Sequence, residues 1–252
     1  MRVKVLSSGS KGNTTFVDDG NTKILIDCGN SSKYIVSKLN DMGIDRNNLD
    51  AILLTHTHID HIKGLKVFVK KNNIPVYVTK DMLKDLDFLD NYIILDKEVF
   101  SINTITINVI KTSHDALGSV GYIINSNDKS LVYVTDTGYI NQKYFNILSN
   151  RDIYIFESNH DVEMLNNGTY PFRVRQRILG DKGHLSNYDS ARYLSSFVGD
   201  KTKCIVLAHL SQENNREEIA LNTLLDKLGE NSKSIDKIIV ARQDCETELL
   251  EV

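Results

Sequence analysis

The chain has 252 residues, 41% apolar and 25% charged, with 14 Gly and only 2 Pro. That composition is ordinary for a globular protein and excludes a Pro/Gly-rich fibrous or disordered chain. The net charge of −3, from 30 basic and 33 acidic residues, excludes a global positive field that would coat the surface with nucleic acid.

In chain order, strands are predicted over 2–6, 14–18 and 23–27, then a helix over 32–42 and a strand over 51–55. A helix over 62–72, a strand over 75–79 and a helix over 80–86 follow. Strands come next over 105–110, 119–124 and 130–135, then a helix over 141–148 and a strand over 153–157. The last elements are helices over 173–179 and 188–198, a strand over 203–208, a helix over 214–228 and a strand over 236–241. The runs KILID, AILLT, CIVLA and KIIVA are too continuously apolar for one-sided strands and read as strands buried on both faces. In the first helix Ile35, Leu39 and Met42 share a face and Gly43 supplies a stop. In the last long helix Ile219, Leu221, Leu224, Leu225 and Leu228 form the stripe, Gly229 ends it, and Asn214 and Asn215 are expected to cap it. Strands in both halves with helices between them predict an α/β (α+β) fold: two packed sheets with helices outside, a four-layer αββα sandwich in one domain, 1–252.

The cysteines, Cys28, Cys204 and Cys245, are odd in number and contain no CxxC, the pattern of a reduced chain. The N-terminal MRVKVLSSGSKGN reads as a strand and a polar loop, not a signal peptide. No apolar run approaches the roughly 18–20 residues of a membrane span. A cytoplasmic protein with no membrane partner is expected. The sequence leaves the oligomeric state open, with a homodimer as one option.

Three of the seven histidines fall within six residues: His56, His58 and His61, with Asp60 among them. A chain of this composition produces HxHxDH by chance about 0.0005 times, so the cluster reads as a metal signature. It follows the buried strand that begins at Ala51. His56 and His58, two apart in extended backbone, point the same way, and Asp60 and His61 sit in the turn beyond. His114, Asp136 and His209 each follow another predicted strand. The set of five histidines and two aspartates suits two divalent ions, zinc first, with manganese or iron also matching the donors. One ion takes His56, His58 and His114, a second takes Asp60, His61 and His209, and Asp136 bridges them. Such a pair clamps the attacking and leaving oxygens of an in-line displacement.

Further candidates carry two readings each. Ser8, Ser10 and Asn13 lie in a Gly-bearing loop that offers amides to an anion or is a plain turn. Asn159 and His160 contact a terminal phosphate or begin a helix. Ser186 and Asn187 contact substrate or cap the helix over 188–198. Arg173, Arg175, Arg177 and Lys182 against Asp181 give 170–184 a charge of +3, which is a cradle for a nucleic-acid backbone or a solvated helix face.

Together these residues resemble the metallo-β-lactamase superfamily over nearly the whole chain. Ile26-Asp27-Cys28-Gly29 looks like that superfamily's Asp-bearing strand end, which implies that Asp27 supports the metal loop by hydrogen bonds. Phe156-Glu157-Ser158-Asn159-His160-Asp161, Gly183-His184-Leu185-Ser186-Asn187 and Leu207-Ala208-His209-Leu210-Ser211 are similar in order to the ribonuclease Z series. The opening Ser7–Asn13 and the stretch His160–Asn187 look closer to the YycJ/WalJ group of metal-dependent 5′-to-3′ DNA exonucleases. The resemblance implies that a metal-bridging hydroxide attacks a phosphodiester, with Asp60, His184 and Glu157 as catalytic residues. Asp60 orients the nucleophile or accepts its proton. His184 protonates the leaving oxygen as general acid, and Glu157 holds its ring. About 45 residues separate the strands over 153–157 and 203–208, too few for the inserted domain of RNase J enzymes. The alternatives are a small-molecule phosphodiesterase, an RNA-processing nuclease, a thioester, lactone or β-lactam hydrolase, and a non-catalytic metal module.

Overall fold

The computed structural model describes residues 1–252. The first half holds β1 (Arg2–Ser7), β2 (Thr14–Asp18), β3 (Lys23–Ile26), α1 (Ser32–Asp41), β4 (Ala51–Leu53), α2 (Ile59–Ile62), α3 (Leu65–Lys70), β5 (Val76–Val78) and β6 (Tyr92–Ile94). The second holds β7 (Val99–Ile102), β8 (Ile105–Lys111), β9 (Val120–Ser126), β10 (Lys129–Val134), α4 (Phe145–Leu148), β11 (Ile153–Glu157), α5 (Val162–Asn167), α6 (Phe172–Leu179), α7 (Asn187–Phe197), β12 (Cys204–Ala208), α8 (Glu217–Glu230), β13 (Lys237–Val240) and β14 (Leu250–Glu251).

These form two seven-stranded sheets, ordered β14-β1-β2-β3-β4-β5-β6 and β13-β12-β11-β10-β9-β8-β7. Each sheet is antiparallel at one end and parallel at the other: β3 to β6 run parallel in the first, and β10 to β13 in the second. The side-chain period of two splits the apolar strands between layers. On β11, Ile153 and Ile155 enter the core between the sheets, whereas Tyr154 and Phe156 face α7 and α8. Cys204, Val206 and Ala208 of β12 face inward, and Ile205 and Leu207 face the helices. Ile35 and Leu39 of α1 and Leu65 and Phe68 of α3 cover the other sheet. The expected four-layer αββα sandwich is the architecture observed.

Several elements differ from the sequence reading. The helix predicted over 62–72 starts earlier, at Ile59, and breaks at Gly64. A Cβ at Gly64 would lie 2.1 Å from the Asn30 carbonyl oxygen, so the backbone there is pressed against the loop after β3. The segment predicted as helix over 80–86 is a 3₁₀ turn, Met82–Asp85, and that over 141–148 opens with another, Gln142–Tyr144. Strands β6, β7 and β14 and helix α5 were not expected. They are two to six residues long, and β14 is defined only by pairing with β1 across the whole chain. Asn215 does not cap α8, which starts after Arg216 without a side-chain cap. Its amide turns inward and donates to the Ser158 and Asn159 carbonyls. No helix is long and apolar enough to cross a membrane.

Candidate metal centre

The carboxyl ends of the parallel strands collect the site, where open α/β sheets place ligands. β3 leads into Asp27, β4 into His56, β10 into Asp136, β12 into His209, and Glu157 is the last residue of β11. Asp27, Asp136 and His209 have φ of 60°, 55° and 57°. The left-handed conformation is unfavourable for residues with a Cβ. It stops each strand abruptly and leaves the side chain at the strand end. The sheets are stitched together there as well: Val120 N donates to the Thr55 carbonyl at 2.9 Å.

The structure brings His56, His58 and His114 into one cluster and Asp60, His61 and His209 into another, with donor atoms within 4.8 Å of one another in each. Asp136 joins His56 and His61 in a third such group. In four of the five rings the nitrogen facing away from the cluster has its own partner. His61 Nδ1 donates to Asp27 Oδ2 at 2.7 Å, His209 Nδ1 to Glu157 Oε1 at 3.0 Å, and His114 Nδ1 to the Gly183 carbonyl at 3.2 Å. His56 Nδ1 lies 3.1 Å from Thr55 Oγ1. Partners of this kind fix the ring and leave the other nitrogen for a cation. Asp27 is fully buried and also accepts from Thr55 N and Oγ1, both at 2.8 Å.

Two observations fit this set to cations. The buried atoms His56 Nε2 and Asp136 Oδ2 have no hydrogen-bond partner, although Asp136 Oδ2 lies 3.1 Å from His61 Nε2. Charge is the second. Burial opposes the ionised forms of Asp60 and Asp136, yet the surrounding imidazoles hold both carboxyls below their usual range. The same carboxylates act on the rings. Burial would lower His209, but Asp136 and the bonds to Asp60 and Glu157 raise it to about 10. Negative charge on this scale in a buried pocket demands a cation. His56 is held well below the imidazole range by burial and by His61, so it keeps a lone pair.

His184 sits beside the cluster, with Nδ1 2.7 Å from Glu157 Oε1. Glu157 is fully buried and every lone pair has a use: Oε1 accepts from His184 and His209, and Oε2 from Thr137 N at 2.9 Å and Leu185 N at 3.2 Å. It therefore acts through the two rings, as a positioning residue; the sequence reading had it hold the His184 ring and did not include its bond to His209.

The expected substrate contacts fare differently. Ser8 is buried and its Oγ accepts from His209 N at 2.8 Å. Asn13 is buried and braces the metal loop: its Oδ1 accepts from Gly9 N, and its Nδ2 lies 3.2 Å from Asp60 Oδ2 and 3.0 Å from His61 Nε2. Asn159 Nδ2 donates to the His209 carbonyl at 2.9 Å. Ser186 caps α7 through Asp189 N, and Asn187 is buried against Ser158 and Asn215. His160 is 1% exposed. The serine and asparagine side chains hold the frame of the site, because their polar groups are used inside it, whereas both ring nitrogens of buried His160 have no hydrogen-bond partner. Arg177, on exposed α6, pairs with Asp115. Asp115 was missed by the sequence reading, though it directly follows His114. Its Oδ1 lies 3.4 Å from His58 Nε2. Arg173 remains exposed on the same helix.

A family model described as a β-lactamase superfamily domain matches residues 22–209. The chain belongs to the metallo-β-lactamase superfamily. It is 36% identical to the exodeoxyribonuclease WalJ of Streptococcus pneumoniae serotype 2, over 100% of this chain and 98% of that protein. It is 37% identical to the exodeoxyribonuclease YycJ of Bacillus anthracis, over 87% of this chain and 86% of the relative. The fold matches that of YhfI from Bacillus subtilis, a metallo-β-lactamase fold protein, with a TM-score of 0.70 at 18% identity over 98% of this chain and 99% of that one. Like its superfamily, the chain is a hydrolase, and its WalJ- and YycJ-like sequence runs through the loops that carry the cluster.

Proposed function

We propose that the chain is a dinuclear-metal phosphodiesterase acting as a 5′-to-3′ DNA exonuclease in the cytoplasm. The observation that carries the reading is the Glu157 bridge, in which one carboxylate oxygen holds both His184 and His209. It sets a proton donor beside the cluster. An alkoxide leaving from a phosphodiester needs that donor, whereas a thiolate leaving from a thioester does not. The choice of DNA and the polarity follow the exodeoxyribonuclease relatives.

In this reading His56, His58 and His114 hold one ion, Asp60, His61 and His209 the other, and Asp136 both. Zinc suits the donors first, with manganese or iron(II) as alternatives. Ions bound there supply Lewis acidity toward a water and toward the phosphate oxygens. Asp60, 16% exposed at its side chain, orients the attacking water. His184 donates Nδ1–H to Glu157, so Nε2 is the nitrogen that protonates the leaving oxygen. Arg173 offers positive charge to the strand beyond the cut.

The test is digestion of end-labelled duplex DNA carrying 5′-phosphate or 5′-hydroxyl, with manganese or zinc, and with EDTA and Asp60→Ala as controls. Release of 5′-terminal nucleotides that both controls abolish is expected. A protein that binds two ions and cleaves neither substrate would defeat the DNA reading.

A further inference from the structure

A cleft of about 170 Å³ is lined by Lys111, Ser113, Tyr139, Lys143 and Tyr144 among others, on the segments that flank His114 and follow Asp136. Its walls are the two segments that carry candidate ligands. Ser113 immediately precedes His114, and Tyr139 follows Asp136 by three residues. The segments are locked to each other and to the site. Gly138 N donates to the Ser113 carbonyl at 2.9 Å, and Ser113 N to Thr137 Oγ1 at 3.0 Å. Thr137 Oγ1 donates to the Tyr139 carbonyl at 2.7 Å, and Thr137 N to Glu157 Oε2 at 2.9 Å. The carboxylate that positions His184 thus also fixes one wall of the cleft.

The chemistry of the lining is cationic and aromatic. Six of the 21 lysines form ion pairs; Lys111 and Lys143 are among the 15 that do not, and these two line one cleft. The Lys143 ammonium lies 4.6 Å from the centre of the Tyr144 ring. Tyr144 is buried, and its hydroxyl accepts from Lys111 N at 3.0 Å, which leaves its own proton without a protein acceptor. Tyr139 is 43% exposed and lines the cleft. Two unpaired ammoniums and a free hydroxyl proton call for an anion, and the exposed ring calls for a flat partner. The cleft is smaller than the roughly 300 Å³ at which enclosed small-molecule pockets begin. It suits a chain that passes through, not a free nucleotide held whole.

We propose that this cleft is a subsite for the nucleotide adjoining the one being cleaved: its phosphodiester between Lys111 and Lys143, its base on Tyr139. Stacking on a side chain requires a base that has left its duplex neighbour, so the substrate at the cut is an unpaired strand. The inference rests on the exonuclease reading and names its substrate form.

The test compares the metal-loaded wild-type enzyme with Lys111→Ala/Lys143→Ala, Tyr139→Ala and Tyr139→Phe. Each is assayed on single-stranded DNA and on bis(p-nitrophenyl) phosphate, which is too short to reach the cleft. For the double variant, KM for DNA is expected to rise at least tenfold relative to KM for the small diester. The slope of log KM against log salt should fall by about 1.4, from two contacts of about 0.7 each. Tyr139→Ala should raise the DNA KM about tenfold and Tyr139→Phe should restore it, since stacking needs the ring and not the hydroxyl. A double variant that cleaves DNA with unchanged KM and salt slope overturns the subsite alone. So does equal loss on both substrates, which would place the lysines in the support of the metal centre. A wild-type enzyme that hydrolyses the small diester but neither single-stranded nor duplex DNA defeats the exonuclease reading, and the subsite falls with it; one that cleaves duplex but not single-stranded DNA overturns the unpaired-strand subsite alone.

Discussion

Glu157→Gln keeps the shape of a fully buried side chain and removes one acceptor from a group that uses all of them. The carboxyl is opposed by burial, yet His184 and the bonds from His184 and His209 hold it down at about 2, so it is the anion that the structure requires. Glutamine offers one oxygen and one NH₂. With the oxygen toward the rings, its NH₂ meets the Thr137 and Leu185 N–H groups, and an unmet buried donor costs about 1–3 kcal/mol. With the amide reversed, its NH₂ faces both Nδ1 atoms and drives each ring proton to Nε2. His209 then has no lone pair for a cation. Two rate factors follow. Loss of a positioned general acid is worth about 10²–10⁴-fold, and loss of support behind a metal-ligating histidine about 10–100-fold. A p-nitrophenolate leaving group needs no acid, so only the second factor acts on bis(p-nitrophenyl) phosphate. His184→Ala is therefore expected to lose at least about 10²-fold on DNA and under about tenfold on the small diester. Glu157→Gln should lose about 10–100-fold on the small diester as well, with weaker metal affinity. Steady-state kinetics on both substrates, with a metal titration, measures each factor. A Glu157→Gln enzyme that matches His184→Ala on both substrates and binds metal normally would refute the bridge.

Asp27→Asn removes the anion behind His61, and the affinity for one of two ions should drop about 10–100-fold in a chelator-competition titration, the other ion being unaffected. Gly29→Ala should destabilise the fold by about 3 kcal/mol or more in urea, because its Cβ would lie 1.7 Å from the Asp60 carbonyl oxygen. Gly229→Ala, in α8 with nothing within 4 Å, should instead stabilise by about 0.5–1 kcal/mol. Asp19 joins the two sheets at the end opposite the site, accepting from Thr104 and Ser126 hydroxyls at 2.6 Å each. Burial opposes its charge, but these bonds and the Thr22 and Asn21 amides lower it from 3.8 to about 2. A lowered carboxylate stabilises above its ordinary value and loses that contribution as pH falls through the folded one. The stability difference between wild type and Asp19→Asn should therefore be full at pH 5 and shrink between pH 4 and 2. A difference that stays constant with pH would show that Asp19 does not act through its charge.

The parts of this site that were legible in the sequence are those whose chemistry is contiguous. His56, His58, Asp60 and His61 announce themselves by spacing, and His114, Asp136 and His209 by following apolar runs. Glu157 and His184 were found through their motifs, but their link was not, since 27 residues separate them. The loop candidates kept two readings for one reason. Ser8, Asn13, Asn159, Ser186 and Asn187 are polar residues in turns, and sequence does not say whether such a group faces solvent or closes a buried network. Asp115 had a signal, the His-Asp pair, and lacked only the Arg177 that reaches it from α6.

The sequence by itself determined the layers, because a period of two in apolar strands and a stripe in the helices leave one economical way to bury them. It also marked the candidate donor set, because His56, His114, Asp136 and His209 follow apolar runs and His58, Asp60 and His61 stand within five residues of His56. Only the tertiary structure decided which atoms face one another. That depends on Asp27, Asp136 and His209 turning through left-handed backbone, on Gly29 and Gly64 admitting neighbouring chain at distances no Cβ allows, and on a single buried carboxylate shared by two rings from different elements. These are contacts between segments far apart in sequence, and no local pattern encodes them.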